Sequence, residues 1–320
     1  MGLNARTILV LGGILFVCVS FITFKPSPPK SSPSPANLEQ SQQPTAPLVR
    51  QPFSDPPPIY SEPLLDRDIP RPAAIPVEAV GVYDGAPEWL LNTVAIISCN
   101  LGYLDMLLNF YCNARKVFPI NLLVLPQDEE LYEFLSVNAT QFSVLHPSVF
   151  SFHSANEASL WRSEAFNDIS VGKVRAVRYL LQWGYDVWLS DVDIAYKSNP
   201  IPHFAGDVDF EFQSNAGCKG QEFQLGEEPN TGFYIIKSNP RTIRMLLDVE
   251  ESHPRRPDID DQTLWADILQ EWWRSEQAVL IPSNVTDVKS YIQDLNFDEE
   301  PFTFRQLPCV KFPIGFDYFR

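Results

Sequence analysis

Residues 184–200 read GYDVWLSDVDIAYKSNP, and the fold prediction rests mainly on this segment. Its centre, DVWLS at 186–190, has the length and composition of a buried β-strand. Residues 169–183, just before it, have the spacing of an amphipathic helix with basic side chains on one face. Gly184 ends that helix as glycines do at the C′ position. A helix that leads into an apolar strand predicts a parallel α/β sheet.

The same alternation extends over most of the chain and predicts a domain at residues 89–320. Further strands are expected at 93–98, 120–125, 142–145, 208–212, 232–237 and 278–281, and further helices at 104–117, 128–135, 241–251 and 261–273. The prediction is an α/β fold whose mixed, mostly parallel sheet has helices on both faces.

Two aspartates, Asp191 and Asp193, follow the strand at 186–190. In an extended chain residues i and i+2 point to the same face, and ligands of α/β sheets bind beyond the carboxyl ends of the strands. Two converging carboxylates suit Mn²⁺ or Mg²⁺ that bridges a diphosphate. The alternative is a solvated turn, because so short a motif also arises by chance.

Three other Asp-x-Asp triplets compete with this pair. They are Asp66/Asp68, Asp207/Asp209 and Asp258/Asp260. The first lies in Pro-rich sequence, the second within a predicted strand, and the third opens a predicted helix. The sequence therefore favours Asp191 and Asp193 as the metal site.

The N-terminal sequence predicts a membrane anchor. Residues 8–24 are uncharged and apolar, at the short end of what spans a bilayer. A signal anchor is favoured over a cleaved signal peptide, since no A-x-A-like site follows, and over a buried core helix. Residues 1–7 would then be a cytosolic tail, and the Pro-rich residues 25–88 a disordered stem. The expected location is a Golgi membrane, as a single-pass type II protein.

Net charge bears on possible partners, and two sequons agree with a lumenal domain. The net charge of −16 argues against nucleic acid as a partner, because phosphate backbones require clustered Lys and Arg. Asn138-Ala139-Thr140 and Asn284-Val285-Thr286 are N-glycosylation sequons.

The cysteines leave several pairings open. Outside the predicted anchor they are Cys99, Cys112, Cys218 and Cys309, which allow one or two disulfides in an oxidising lumen. Alternatively, Cys99 and Cys112 are small buried residues. The absence of C-x-x-C and H-E-x-x-H motifs argues against a zinc site.

Several segments together resemble a known family. GYDVWLSDVDIAYKSNP is similar to the core of the nucleotide-diphospho-sugar transferase domain of the glycosyltransferase family 77 type. Similar motifs follow the family's order: SCNLGYLDMLLNFYC at 98–112, NTGFY at 230–234, DDQ at 260–262 and LPCVKFPIGFDYF at 307–319. The resemblance covers about residues 90–319.

The resemblance implies a GT-A fold, which is Rossmann-like, and a glycosyltransferase that uses a UDP-sugar. It implies a metal-dependent transfer, with retention of configuration, of a xylose, galactose or arabinose type of sugar to a hydroxyl of a glycan or glycoprotein. The mechanism that the resemblance implies is front-face attack by the acceptor hydroxyl.

On the donor side the resemblance assigns the metal and the diphosphate to Asp191 and Asp193. Lys173, on the preceding helix, matches a basic position that contacts the donor. The alternative for Lys173 is a solvated helix face shared with Arg175 and Arg178.

On the sugar side the resemblance assigns Asp261 to the sugar hydroxyls and Gln262 to the anomeric carbon. Asn230 and Gly232 would allow close approach on the acceptor side. The alternative for Asp261 and Gln262 is an ordinary first turn of a helix, where Asp is favoured.

One departure keeps other function classes open. Related enzymes commonly supply a histidine near the C-terminus as a third metal ligand, whereas the last histidine here is His253. Three explanations stay open: the sequence is truncated, Asp317 or water completes the site, or the protein is an inactive binding or scaffolding relative. A cytosolic sugar-nucleotide pyrophosphorylase would require a Gly-rich basic loop after the first strand, and CNLGYLD at 99–105 is neither.

Overall fold

The computed structural model describes residues 75–76, 79, 81, 87–150, 163–215, 227–297, 299–309 and 311–313. The predicted anchor at 8–24 lies outside this part of the chain, as does most of the predicted stem at 25–88. Within the described residues, none of the helices combines the length and the apolar character that crossing a bilayer requires.

The described residues form an alternating series of strands and helices. The strands are β1 (Thr93–Cys99), β2 (Leu122–Pro126), β3 (Ser143–Val144), β4 (Asp186–Ser190), β5 (Phe210–Ser214), β6 (Pro229–Ile236), β7 (Ala278–Leu280) and β8 (Phe302–Gln306). The α-helices are α1 (Leu104–Val117), α2 (Glu129–Asn138), α3 (Glu164–Gln182), α4 (Pro240–Ser252), α5 (Asp261–Arg274) and α6 (Val288–Leu295).

All eight of these strands form one sheet, in the order β3-β2-β1-β4-β6-β5-β8-β7. β6 is antiparallel to both of its neighbours, β4 and β5, and the other pairings are parallel. The predicted mixed, mostly parallel sheet is therefore confirmed. Because β6 is reversed, its first residues lie beside the carboxyl ends of β4 and β5.

Side chains of the central strands alternate between two cores, as the pleat requires. Val94 and Ile96 of β1 belong to a core that also contains buried residues of α3, α4 and α5. Ala95 and Ile97 belong to a second core, with buried residues of α1 and α2. Helices thus cover both faces of the sheet, as predicted.

The helix before β4 begins earlier than the expected residue 169. α3 starts at Glu164, because the hydroxyl of Ser163 caps it and accepts a hydrogen bond of 3.1 Å from the amide of Phe166. Two elements, α6 and β8, have no counterpart in the prediction.

The folded unit also includes residues before 89. Ile75 and Ala79 are buried in the core beside α3. The amide of Gly81 donates a hydrogen bond of 3.0 Å to the carbonyl of Thr93 in β1. Contacts of the domain thus extend into the segment predicted as stem.

The cysteines differ in state. Cys309 is disulfide-bonded, which is one of the states that the sequence left open. Cys99, at the end of β1, is a buried free thiol whose pKa is raised, chiefly by burial.

A buried ion pair joins β5 to β8. The guanidinium of Arg305 donates to the carboxylate of Glu211, with Nε to Oε2 at 2.9 Å. The amides of Ala205 and Gly206 donate to the other oxygen at 2.9 and 3.1 Å. Burial raises the pKa of Glu211 even though these partners oppose the shift. The carboxylate therefore depends on Arg305 and the two amides to remain charged inside the protein.

We expect Glu211→Ala to destabilise the fold strongly, because Arg305 would remain buried without a carboxylate. The expected loss in the free energy of unfolding is about 3–5 kcal/mol, measured by urea denaturation. Glu300→Ala is the matched control. Glu300 pairs with Arg241 but its side chain is 71% exposed, so its loss should be about 1 kcal/mol or less. Equal losses in the two variants would contradict this prediction.

Candidate functional site

Asp191 follows the last residue of β4 and is held by β6. Its amide donates a hydrogen bond of 2.7 Å to the carbonyl of Gly232, just beyond the Ser190–Phe233 pair of the β4–β6 ladder. The reversed direction of β6 thus brings Gly232 to Asp191.

The two aspartates do not lie in extended chain, so that expectation was wrong. Residues 192–193 form a turn, and the amide of Ile194 reaches back to the carbonyl of Asp191 at 3.4 Å. The carboxylates still interact, because lost hydration and the negative charge of Asp191 raise the pKa of Asp193. A turn at the strand end brings the two carboxylates together.

The chain that leaves this turn is anchored to α1. The amide of Tyr196 donates to Asn113 Oδ1 at 2.6 Å, and Asn113 Nδ2 donates to the carbonyl of Tyr196 at 3.2 Å. The ring of Tyr196 packs edge-on against Trp188 of β4. Both ends of the aspartate turn are therefore fixed by buried structure.

Lys173 of α3 points at the aspartates. Its Nζ lies 3.1 Å from Asp191 Oδ1, and only 11% of its side chain is exposed. Burial alone would lower the pKa of Lys173, but the charges of Asp191, Asp261 and Asp193 and the hydrogen bond raise it. The lysine therefore stays protonated among three carboxylates.

The arginines next to Lys173 on α3 face elsewhere. Arg175 and Arg178 both bind Glu250 of α4, Arg175 through Nε at 3.2 Å. Lys173 therefore does not share a solvated face with them, and only the lysine reaches the strand end.

Gly232 leaves room for the carboxylate of Asp191. A Cβ at position 232 would lie 2.4 Å from Asp191 Oδ2 and 3.0 Å from Asn230 Oδ1. The amide of Gly232 donates to Asn230 Oδ1 at 2.8 Å. Any side chain at 232 would displace the carboxylate, so the close approach requires glycine.

A β-bulge sets Thr231, Gly232 and Phe233 apart from β5. The pairing of the two strands passes from Phe212–Tyr234 directly to Gln213–Asn230. The three residues between Asn230 and Tyr234 have no partner residue in β5, as happens where a bulge re-aims side chains beside a site.

Asp261 is the first residue of α5 and is 4% exposed. Burial raises the pKa of its carboxyl. Lys173 and a hydrogen bond from Thr231 oppose that shift, and the charge of Asp191 adds to it. Among the described residues, Oδ2 of Asp261 is buried and has no hydrogen-bond partner. Such an atom is costly in an empty protein and is the kind of atom that a bound ligand satisfies.

Gln262 lies beside Asp261 but contacts a different residue. Its Nε2 donates to Glu228 Oε2 at 3.3 Å, and Glu228 immediately precedes β6. The first turn of α5 therefore meets the start of β6 at two points, Glu228 and Thr231. The structure links Gln262 to the other candidate residues through β6 and not by a direct contact with Asp191 or Lys173.

Three residues of this site were not singled out in the sequence. They are Thr231, Glu228 and Tyr103. Burial and the charges of Asp193 and Asp191 raise the pKa of the Tyr103 phenol. Tyr103 and Thr231 lie inside motifs that were recognised, SCNLGYLD and NTGFY. Glu228 lies just outside NTGFY, and no local signal marks it.

The oxygen atoms of Asp191 and Asp193 suit a hard divalent cation. Asp191 and Asp193 offer carboxylate oxygens, the ligands that Mg²⁺ and Mn²⁺ prefer. Within the described residues, no group of three or more His, Cys, Asp and Glu side chains is arranged so that it could hold a metal ion by itself. His253 binds Asp168, with Nε2 to Oδ1 at 2.9 Å. The chemistry of the two aspartates thus fits a cation whose remaining ligands come from water or substrate.

Comparison with known proteins agrees with this geometry. The sequence model of a family described as nucleotide-diphospho-sugar transferase matches residues 120–319. This match covers more than half of the chain and includes β4, β6, α5 and every candidate residue of the site except Tyr103.

Three curated relatives are glycosyltransferases. A UDP-galactose:fucoside alpha-3-galactosyltransferase of Dictyostelium discoideum is 27% identical over 71% of this chain and 37% of its own length. A beta-arabinofuranosyltransferase of Arabidopsis thaliana is 28% identical over 56% of this chain and 33% of its own. An arabinosyltransferase of the same plant is 31% identical over 47% of this chain and 34% of its own length. The chain thus spans about a third of the length of these relatives.

We expect Lys173→Met to destabilise the protein in metal-free buffer, because three carboxylates would lose their buried counter-charge. The loss should be about 2 kcal/mol, less than for a fully buried pair since Asp191 remains in contact with water. Arg175→Met is the control on the same helix. In this variant Glu250 would still pair with Arg178. The free energy of unfolding should therefore fall by about 1 kcal/mol or less. Thermal or urea unfolding gives both values, and a smaller loss for Lys173→Met would count against the prediction.

Proposed function

The chain belongs to the nucleotide-diphospho-sugar transferase family, and from this premise we propose that it moves a sugar from a UDP-sugar to a hydroxyl of a glycan or glycoprotein. The transfer depends on a divalent cation at Asp191 and Asp193 and retains the configuration of the sugar. The names of the relatives, arabinosyl- and galactosyltransferases, favour arabinose or galactose as the sugar. Xylose, which the sequence motifs also allow, stays a candidate.

The buried Asp261 carboxylate carries this proposal. Its Oδ2 lacks a partner among the described residues, and its charge interacts with those of Lys173 and Asp191. A sugar hydroxyl is a donor that would satisfy this oxygen without adding charge. A donor sugar at Asp261, next to a diphosphate at Asp191, is the arrangement that these contacts support best.

Charge balance supports the need for a cation. Three carboxylates, those of Asp191, Asp193 and Asp261, surround one ammonium group, Lys173, which leaves a formal charge of −2. A diphosphate, itself an anion, would be repelled from such a site. A divalent cation bound to Asp191 and Asp193 would offset this excess, so that the leaving UDP, on which negative charge develops, is no longer repelled.

The remaining residues orient the donor and admit the acceptor. Asp261 holds sugar hydroxyls, and Gln262 presents an amide oxygen near the anomeric carbon, where oxygen dipoles stabilise an oxocarbenium-like centre. Gly232 has no side chain, so the Asp191 carboxylate lies against it, and the amide of Gly232 is fixed by Asn230. The acceptor is proposed to approach beside Asn230 and Gly232, as the resemblance of NTGFY implies. Attack from the leaving-group side accounts for retention without a second nucleophile.

The proposed location is the Golgi membrane, with residues 8–24 as a type II anchor and the domain in the lumen. The two sequon asparagines, Asn138 and Asn284, are exposed, which supports this orientation. Endoglycosidase treatment after expression in a eukaryotic cell should shift the band of the protein. An unchanged band, with both asparagines unmodified, would argue against a lumenal domain.

A donor screen tests the activity itself. The purified protein, with Mn²⁺, is incubated with UDP-galactose, UDP-arabinose and UDP-xylose, and released UDP is measured. Hydrolysis of at least one donor is expected, because water replaces the missing acceptor slowly. Tight UDP-sugar binding without hydrolysis or transfer would favour the alternative, an inactive binding protein of the same fold.

Asp191→Asn or Asp193→Asn should abolish the part of UDP affinity that depends on Mn²⁺, while the protein stays folded. Calorimetric titration of UDP with and without Mn²⁺ measures this part. Asp207→Asn and Asp258→Asn are the matched controls, because both aspartates are exposed members of other Asp-x-Asp triplets. Equal losses in all four variants would remove the basis for the assignment.

Asp261→Ala should reduce kcat/KM for transfer at least about tenfold, the scale of one hydrogen bond to a buried group. UDP affinity should hardly change, since UDP contacts the cation side of the site. Asp260→Ala, which removes the side-chain cap of the same helix, should instead cost about 1 kcal/mol of stability and spare transfer. A destabilised but fully active Asp261→Ala variant would end the catalytic assignment.

A further inference from the structure

Glu228 joins three elements at the sugar side of the site. Its Oε2 accepts from Gln262 Nε2 of α5 at 3.3 Å and from Asn215 Nδ2 at 3.4 Å. Its carbonyl accepts from the amide of Asn215, the residue after β5, at 3.0 Å. One carboxylate thus connects the end of β5, the start of β6 and the first turn of α5.

The backbone around Glu228 is held in place independently. Gln270 Nε2 of α5 donates to the carbonyl of Glu227 at 3.2 Å, and Thr231 donates to Asp261. The start of β6 and the α5 helix are therefore bound to each other on both sides of Glu228. The carboxylate can act on Gln262 from a fixed position.

A carboxylate accepts hydrogen bonds and does not donate them, whereas a side-chain amide has one donating and one accepting end. Paired with Glu228, the amide of Gln262 must therefore turn its nitrogen to the carboxylate. Its oxygen, Oε1, is then directed away from Glu228. Without this partner, the amide could rotate by half a turn and present its nitrogen instead.

We infer that Glu228 is a positioning residue, which fixes the orientation of the Gln262 amide so that Oε1 faces the donor sugar. The inference rests on the proposed function. It assigns Glu228 no direct part in bond making or breaking. Nothing in the local sequence marks Glu228, and only the contact across β6 and α5 identifies it.

The test compares Glu228→Gln with the wild-type protein, using the donor that the wild type hydrolyses. An amide at 228 can accept or donate, so it no longer selects one orientation of Gln262. We expect kcat to fall on the order of tenfold, the scale of one well-placed hydrogen bond, with KM for the donor changed less than twofold. Calorimetry should show UDP affinity and melting temperature close to wild type.

A double-mutant cycle separates positioning from a general structural role. In a Gln262→Ala background, Glu228→Gln should cause no further loss of kcat, because the amide that it orients is gone. If the fold-losses of kcat from the two single substitutions multiply in the double variant, the inference is overturned. Glu227→Gln is the charge-matched control, one residue away, and should leave kcat unchanged.

The outcomes keep this inference apart from the proposed function. If the wild type neither binds nor hydrolyses any of the UDP-sugars, the proposed function fails and the inference falls with it. If the wild type is active and Glu228→Gln equals it, the inference alone is overturned. If Glu228→Gln lowers UDP affinity as much as it lowers kcat, Glu228 serves nucleotide binding and the positioning role is likewise overturned.

Discussion

Lys173 lies buried beside Asp191, and the arrangement of the whole site depends on this contact. The lysine comes from α3 on one side of the sheet, and the aspartate from the end of β4. Without the ammonium group, Asp191, Asp193 and Asp261 would repel each other in a partly desolvated space. This excess of negative charge lowers the stability of the protein. Such a loss of stability is common at functional sites.

The reversed strand β6 adds the second half of the site. Because β6 runs against β4, its first residues meet the end of β4, and Gly232 accepts the hydrogen bond of Asp191. The same residues contact the first turn of α5 through Thr231 and Glu228. A single antiparallel strand in a mostly parallel sheet thus brings the carboxylates after β4 and the first turn of α5 to one edge.

Local sequence predicted the central elements because their signals are local. DVWLS and the helix at 104–117 have the observed bounds, since burial and periodicity are visible in one short window. β8 was missed because it carries Arg305, a charge that becomes buried only through Glu211, far away in sequence. Glu228 was missed for the same reason, because its partner Gln262 belongs to another element. Lys173 was ambiguous until the structure separated it from Arg175 and Arg178.

The bulge in β6 has a consequence for the dynamics of the sheet. Thr231, Gly232 and Phe233 are skipped by the β5 ladder, and the amide of Gly232 is bonded to a side chain, that of Asn230. We expect the amide of Gly232, which a side chain holds in place of the β5 ladder, to open by local fluctuation more readily than the ladder-paired amides of β1 and β4. The rim of the site can thus exchange its hydrogens with solvent while the sheet behind it stays closed. Small rearrangements on ligand entry then need not disturb the two cores.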